Sequence, residues 1–252
     1  MGWIVARPGH AVCMAGIVEQ DGRWRNVAEG DWCERGGIGV SGFASFDFET
    51  MPPADAYRLT TSTVVPRPIA WVVTQSRGGV VNVAPYSFFN AFGQDPVILV
   101  LGLLGSGESG RRFKDTATNI QETGEFVVCM VPERLAERMN VTTVNAPPEV
   151  SEMELAGLTP APSLKVTPPR VGESPVAFEC KLMHALETGP TQLTVIGRVV
   201  QLHIDEAYLE GDPARPRIKT EAMGLIGRMH GRAWYARTTD LFEMDRPGNW
   251  RG

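Results

Sequence analysis

Asn82, Tyr86, Ser87 and Asn90 stand within "VNVAPYSFFNAF", which runs from Val81 to Phe92 without one Asp, Glu, Lys or Arg. A surface loop would carry ions to hold water, and a strand buried on both faces would not carry two asparagines and a serine. Amides and hydroxyls among Phe88, Phe89 and Phe92 suit a flat ligand, apolar over its faces and hydrogen-bonding around its rim. The everyday use of such rings is core packing. Phe88 and Phe89 are neighbours on a strand and point opposite ways, so at least one of them faces the core.

A second chemical centre follows. "GSGESG" (Gly105 to Gly110) leads into Arg111, Arg112, Lys114 and Thr116. Glycine-rich backbone leaves N–H groups free, Ser106 and Ser109 add hydroxyls, and three cations stand close together. This set suits one phosphate group, and it equally suits a basic helix start that faces water. The third centre is "GRMHGRAWYAR", where His230 sits in a Gly-flanked turn with Arg228 and Arg232 beside it. It can meet the phosphates of a nicotinamide nucleotide or simply be an exposed basic turn. Of the other histidines, His10, His184 and His203, the last two lie on the long hairpin strands and read as structural, and no G-x-S-x-G elbow occurs. Acid–base or nucleophilic catalysis by the protein itself is not indicated, and no metal site is expected.

The elements that must position these residues are mostly strands. "IAWVVT" (Ile69–Thr74) and "VVNVA" read as strands around a Gly78-Gly79 turn. "PVILVLGLL" (Pro96–Leu104) is apolar throughout and reads as a strand buried on both faces. "RRFKDTATNIQETG" reads as a helix with Phe113, Ala117 and Ile120 on one face and Gly124 as C-cap. "EFVVCMV" is a further strand, "PERLAERMN" a helix opened by Pro132, and "SEMELAGL" holds a short helix. "SPVAFECKLMHALETG" and "QLTVIGRVVQLHID" form a long hairpin around Gly189-Pro190, and "AWYART" is a late strand. Strands dominate, which predicts a mainly β architecture, a closed or nearly closed barrel with flanking helices. Residues 1–44 lack clean periodicity. They read as an N-terminal extension, poorly ordered or the product of an upstream start site, with the domain spanning 45–252.

"GSGESG" also matches the dinucleotide fingerprint G-x-G-x-x-G between a strand and a helix, with Glu133 at a tolerable distance for a ribose contact. That fold needs several βαβ units, and only one is present among hairpins. Its helix would open with small apolar residues rather than Arg111 and Arg112.

The net charge of −5 argues against a nucleic-acid surface and gives no reason to invoke an anionic membrane. Apolar residues at 43% and charged residues at 21% suffice for a sizeable core. The cysteines Cys13, Cys33, Cys129 and Cys180 form no Cys-x-x-Cys pair. Cys129 and Cys180 lie in apolar strands as buried free thiols, consistent with a reducing, cytoplasmic setting. The most apolar run, "PVILVLGLLG", is far too short to span a membrane.

The blocks "RPIAWVVT", "VNVAPYSFFNAFGQDPV", "KDTATNI", "TGEFVV", "SPVAFEC" and "VIGRVV", in this order, resemble the flavin reductase-like, FMN-binding split-barrel family over about Phe46 to Pro247, in its branch of conserved flavoprotein oxidoreductases. The resemblance implies a split β-barrel that binds FMN and takes hydride from NADH or NADPH at flavin N5, as an NAD(P)H-dependent flavin reductase. The alternative is a non-catalytic FMN-binding electron carrier reduced by a partner protein. It also implies a homodimer with the ring at the subunit boundary. By position, Asn82, Ser87, Asn90 and backbone around Ala84 serve the ring's edge, and Trp71 with Phe89 or Phe88 its faces. Arg67, Thr74, Arg112, Lys114 and Thr116 serve the phosphate and ribityl chain, with Asp115 and Asn119 as braces. His230 and Arg228 are candidates for the nicotinamide side. Relatives that carry a Gly-Asp-His-like turn have Gly189-Pro190-Thr191-Gln192 replacing it here, so the resemblance places no nicotinamide at that turn.

Overall fold

The computed structural model describes residues 16–18, 24–26, 44–105, 111–245 and 248. The chain divides into two units, one up to Tyr57 and one from Arg58. The boundary is later than the one expected after residue 44 and falls within helix α1, Pro53–Thr63. In the first unit β1 (Gly16–Val18) and β2 (Trp24–Asn26) form an antiparallel pair, a strand pairing that the weak periodicity of this stretch does not announce. The rest of the expectation for residues 1–43 lies outside the described residues, as do Ser106, Ser109, Cys13 and Cys33.

The second unit is built on one antiparallel sheet. Its strands in chain order are β3 (Arg67–Pro68), β4 (Ala70–Gln75), β5 (Val81–Tyr86), β6 (Phe89–Phe92), β7 (Ile98–Leu104), β8 (Glu125–Met130), β9 (Pro160–Ala161), β10 (Arg170–Val171), β11 (Val176–Gly189), β12 (Gln192–Ile204), β13 (Leu209–Glu210), β14 (Arg217–Ile218), β15 (Ile226–Arg228) and β16 (Tyr235–Arg237). Seven of them form the main sheet in the order β5-β4-β8-β11-β12-β7-β6. Its two edge strands, β5 and β6, are consecutive and joined only by Ser87 and Phe88. The sheet must therefore curl until its edges meet at that corner, yet no ladder joins them. The result is a barrel open along one seam. All strand pairs among the described residues are antiparallel, which excludes the dinucleotide-binding βαβ arrangement.

The two faces of the sheet carry two cores, and side-chain parity sorts residues between them. On β4 and β8, Trp71, Val73, Val127 and Cys129 join a cluster with Leu135, Met139 and Met153. Ala70, Val72, Phe126 and Val128 join the other, with Leu99, Leu101 and Leu103 of β7. Both strands are covered on each side, so they read as continuous apolar runs. β7 differs from expectation: only Leu99, Leu101 and Leu103 are buried, and the intervening Ile98, Val100, Gly102 and Leu104 are half-buried. Its sequence is apolar on both faces, but among the described residues one face is buried and the other only half-buried.

Inside the barrel, Phe126 lies over Gly197 of β12. A Cβ built there would stand 2.3 Å from Cζ and 2.7 Å from Cε1 of Phe126. The β11–β12 hairpin is irregular between Glu179 and Cys180, Leu182 and His184, and Glu187 and Gly189, and such bulges bend a long ribbon around a barrel. Helix α2 spans Asp115–Thr123, with Gly124 as its left-handed cap. Its Ala117 and Ile120 are buried in the same cluster as Phe113 of the preceding loop. It begins later than predicted, however. Lys114 is extended, so Arg111, Arg112 and Lys114 belong to the loop before the helix. "PERLAERMN" opens with a 3₁₀ turn, Glu133–Leu135, and continues as α3, Ala136–Val141. Helix α4, Glu152–Leu155, packs against β5. No described helix is long and apolar enough to cross a membrane.

Candidate functional site

A cavity of about 300 Å³ opens where β5 runs into the corner of the barrel. It is lined by the apolar Ile69, Pro85 and Met139, by Tyr86 and Tyr235, and by Ser87, Asn140 and Thr143, which bear neutral hydrogen-bonding groups. Arg228 and Arg232 are the charged residues that line it among the described residues. The uncharged stretch singled out in the sequence thus supplies Pro85, Tyr86 and Ser87 to one wall. The opposite wall comes from another uncharged polar run, "NVTTVN" (Asn140–Asn145), which sequence reasoning missed although it carries the same compositional signature.

Arg67 holds this corner together. The residue is 6% exposed, and its guanidinium donates to Ser87 Oγ (3.2 Å) and to the carbonyls of Thr61 (2.7 Å), Val64 (2.7 Å) and Met229 (3.0 Å). It ties the end of α1, the β5–β6 corner and the loop after β15 to one another. A buried fork engaged by these protein acceptors acts as a brace in this structure. Ser87 accepts from Arg67, which leaves its own proton for another partner.

Behind β5 lies a buried polar network. Asn82 Oδ1 accepts from Thr116 Oγ1 (2.7 Å) and Thr74 Oγ1 (3.3 Å), and Thr74 accepts from Asn119 Nδ2 (3.1 Å). Asn82 Nδ2 donates to Glu152 Oε2 (2.9 Å), which also accepts the Val83 N–H (3.2 Å). Burial pushes the Glu152 carboxyl above its ordinary range, with the Asp115 charge in the same direction and its N–H bonds opposing. Burial likewise lifts the Tyr86 phenol to about 12, partly offset by a hydrogen bond with Thr116. The phenol therefore stays neutral at any physiological pH. Thr74 is 0% and Thr116 1% exposed, and each is engaged within the network. In this structure both support β5 and α2. Glu152 was not foreseen, because nothing in "SEMELAGL" distinguishes a buried acid from an exposed one.

Because Val83 points its N–H away from β4, Asn82 and Ala84 direct their amides into the ladder, opposite Thr74 and Val72. Ala84 backbone is thus committed to the sheet. The outward carbonyls on this edge belong to Val83 and Pro85, and Pro85 has no N–H to recruit a further strand. Trp71 is 0% exposed and lies in the core, with its indole N–H donating to Thr142 Oγ1 at 2.9 Å. Phe89 packs on the core inside the barrel, which makes it the inward member of the Phe88–Phe89 pair. Asn90 is exposed on β6, where its side chain accepts the Ala91 N–H at 2.8 Å.

At the loop before α2, Arg111 pairs with Asp115 (2.6 Å) and Arg112 with Glu187 (2.8 Å), while Arg112 also donates to the Pro190 carbonyl. Lys114 donates to the neutral Asn145 side chain at 2.8 Å, so no carboxylate cancels its charge in that contact. In the late turn, Arg228 donates to the carbonyls of Trp234, Gly231 and Arg232 and lies 5.0 Å from the Tyr235 ring centre. His230 is exposed and stacks on Trp234, with ring centres 6.5 Å apart. Of these two, the structure brings Arg228 to the cavity wall and not His230.

Residues 61–215 match the family described as flavin reductase like domain. Nitrilotriacetate monooxygenase component B from Bacillus cereus superposes with a TM-score of 0.73 at 36% identity, over 80% of this chain and 98% of that one. The 2-nitrobenzoate 2-nitroreductase of Pseudomonas fluorescens gives 0.72 at 33% identity, over 81% and 96%. A protein with a split barrel domain from Shewanella frigidimarina gives 0.67 at 21% identity, over 81% and 100%, which bears on the fold alone. The open-seamed sheet is thus a split β-barrel, and the chain belongs to the flavin reductase-like family.

Proposed function

We propose that this protein is an FMN-binding oxidoreductase that takes hydride from NADH or NADPH. The observation that carries this is the pairing of neutral hydrogen-bonding groups at the β5 corner, Ser87, Asn140 and Thr143, with a cation, Lys114, whose side chain donates to the neutral Asn145 and has no carboxylate partner among the described residues. The donor set fits FMN. The outward carbonyl of Pro85 offers an acceptor of the kind a flavin imide N–H requires, and Ser87 retains a hydroxyl proton. Lys114, on the loop before α2, offers a point charge for the phosphate. When bound, FMN supplies a hydride acceptor and donor at N5. The chain's own residues bind, orient and exclude water: Tyr86 stays neutral beside the site, and Glu152 holds the edge of β5 through Asn82 and the Val83 N–H. Asn90 and Phe88 complete the set we assign to the ring.

The test is a visible spectrum of the purified protein, followed by NADH or NADPH under anaerobic conditions. Bleaching of the flavin band supports the reductase. A yellow protein that neither nucleotide bleaches is a carrier served by another reductant. A protein that neither contains nor takes up FMN refutes the proposal altogether.

A homodimer follows from the uncovered face of the barrel. Cross-strand partners share a face, so Phe92, Ile98, Val100 and Ile196 stand together there, as do Leu186 and Thr194. Phe92 is 53% and Leu186 50% exposed. An apolar face of this kind on a closed sheet is a subunit contact. A solution mass of one chain by light scattering would contradict it.

A further inference from the structure

We infer that residues 239–245 form an arm that lies on the outward face of β6, β7 and β12 of a second copy of this chain. The last ties of the C-terminal stretch to its own body are at its root. Arg237 Nε donates to the Glu133 carboxylate, at 2.9 and 2.8 Å from its two oxygens, and Thr238 Oγ1 donates to the Leu225 carbonyl at 2.9 Å. Beyond them residues 239–245 have no helix, strand or hydrogen bond among the described residues. Their sequence, "TDLFEMD", is not that of a tail that only hydrates. Leu241, Phe242 and Met244 are all exposed, Phe242 at 85%. Large apolar side chains packed this densely into a short exposed segment oppose solvation and mark a contact.

The barrel offers the complementary surface. Cross-strand partners share a face, so Phe92, Ile98 and Arg198 make one outward row, and Asn90, Val100 and Ile196 the next. The centre of this surface is apolar. Arg198 at its edge is exposed and has no hydrogen-bond or ion-pair partner among the described residues. The arm carries the opposite charge, Asp240, Glu243 and Asp245, around its apolar side chains. Length agrees as well. An extended segment of this size reaches about 23–25 Å, and three neighbouring strands span about 10–15 Å. Among the described residues neither surface is covered, so each finds its complement on another copy. A two-fold axis lets each copy give its arm to the other. The inference rests on the homodimer proposed above and names the segment that closes it.

The experiment places the photo-crosslinking residue p-benzoylphenylalanine at position 242 of the full-length protein. Isotopically light and heavy chains are mixed, allowed to exchange, irradiated, digested and read by mass spectrometry. The expected products join the arm peptide of one isotope to a peptide of β6, β7 or β12 of the other. In parallel, the dimer dissociation constant is measured by dilution in light scattering. Phe242→Ser removes a buried phenyl from each of the two arms. The expected loss is about tenfold per arm, and so about a hundredfold in the dissociation constant. Arg198→Glu should weaken the dimer as well, and high salt should narrow its difference from wild type. Both side chains are exposed in the single chain, so neither change threatens folding. Crosslinks that stay within one chain or map elsewhere overturn the arm and leave the homodimer standing. A Phe242→Ser variant that dimerises like wild type does the same. A single-chain mass at every concentration overturns both.

Discussion

Replacing Arg67 separates a brace from a ligand. In the structure its guanidinium serves three carbonyls and one hydroxyl from three separate segments, and the residue is almost wholly buried. Hydrogen bonds to a charged group contribute about 1.5–3 kcal/mol each, but four on one side chain do not add. Arg67→Ala also leaves those acceptors without a donor unless water enters. We expect a loss of about 3–5 kcal/mol, comparable to breaking a buried ionic contact. That is a large share of the roughly 5–15 kcal/mol typical of a folded domain. Arg67→Lys keeps the charge, but one ammonium cannot reach four acceptors arranged around a plane, so about 1–3 kcal/mol is expected. The assay is equilibrium urea unfolding followed by tryptophan fluorescence, with FMN affinity measured on the same samples under native conditions. Arg67→Lys should change stability clearly and FMN affinity by less than about threefold, which is under 0.7 kcal/mol. If Arg67→Ala costs less than about 1 kcal/mol while FMN binding weakens more than about tenfold, the guanidinium is free to reach the phosphate and the bracing role is wrong.

Gly197→Ala drives a methyl into the Phe126 ring, where the space is 2.3 Å, and should cost at least the usual ~1–3 kcal/mol of overpacking. Adding Phe126→Leu should return part of that loss in a double-mutant cycle, and additive costs would show that the two residues do not meet. The two buried glutamates set opposite pH slopes. Glu152 has a raised pKa in the fold, so its contribution is complete below the ordinary carboxylate range and fades as pH rises through the folded value. For Glu179, burial alone would raise the pKa, but the amides of Leu164 and Lys165 and the His203 ring outweigh it and hold it low. Its contribution is present above the ordinary range and is lost as pH falls through the folded value. Urea midpoints across pH should lose their decline with rising pH in Glu152→Gln and their acid-side decline in Glu179→Gln; unchanged slopes would count against both assignments. Lys114→Ala should weaken FMN binding by about tenfold in low salt and less in high salt, and a salt-independent loss would point away from a charge–phosphate contact.

The barrel was legible where periodicity and sheet position agree. Phe113, Ala117 and Ile120 share a face in the sequence and one buried cluster in the fold, and the long hairpin from Val176 to Ile204 follows from β-branched runs around Gly189-Pro190. The outward face of β7 was not legible, because Ile98 and Val100 look the same whether a helix, another sheet or nothing in the chain covers them. Only the strand order decides that. Arg67 shows the same limit for a charge. Its partners Ser87 and Met229 lie 20 and 162 positions away, so no local spacing distinguishes a buried brace from a phosphate ligand.

What carried furthest was absence of charge where charge was expected. "VNVAPYSFFN" and "NVTTVN" share no motif and no period, yet both become walls of one cavity. In the second run each polar residue is engaged. Asn140 and Thr143 line the cavity, Thr142 anchors the Trp71 indole, and Asn145 holds the Lys114 ammonium. The physical reason is desolvation. A wall that must admit a flat organic molecule cannot keep strongly hydrated ions along its length without opposing the ligand's entry, whereas amides and hydroxyls exchange water for ligand at little net cost. Charge is then expected only where the ligand itself is charged, which is the ground on which Lys114, held by the neutral Asn145 side chain, is proposed for the phosphate of the flavin.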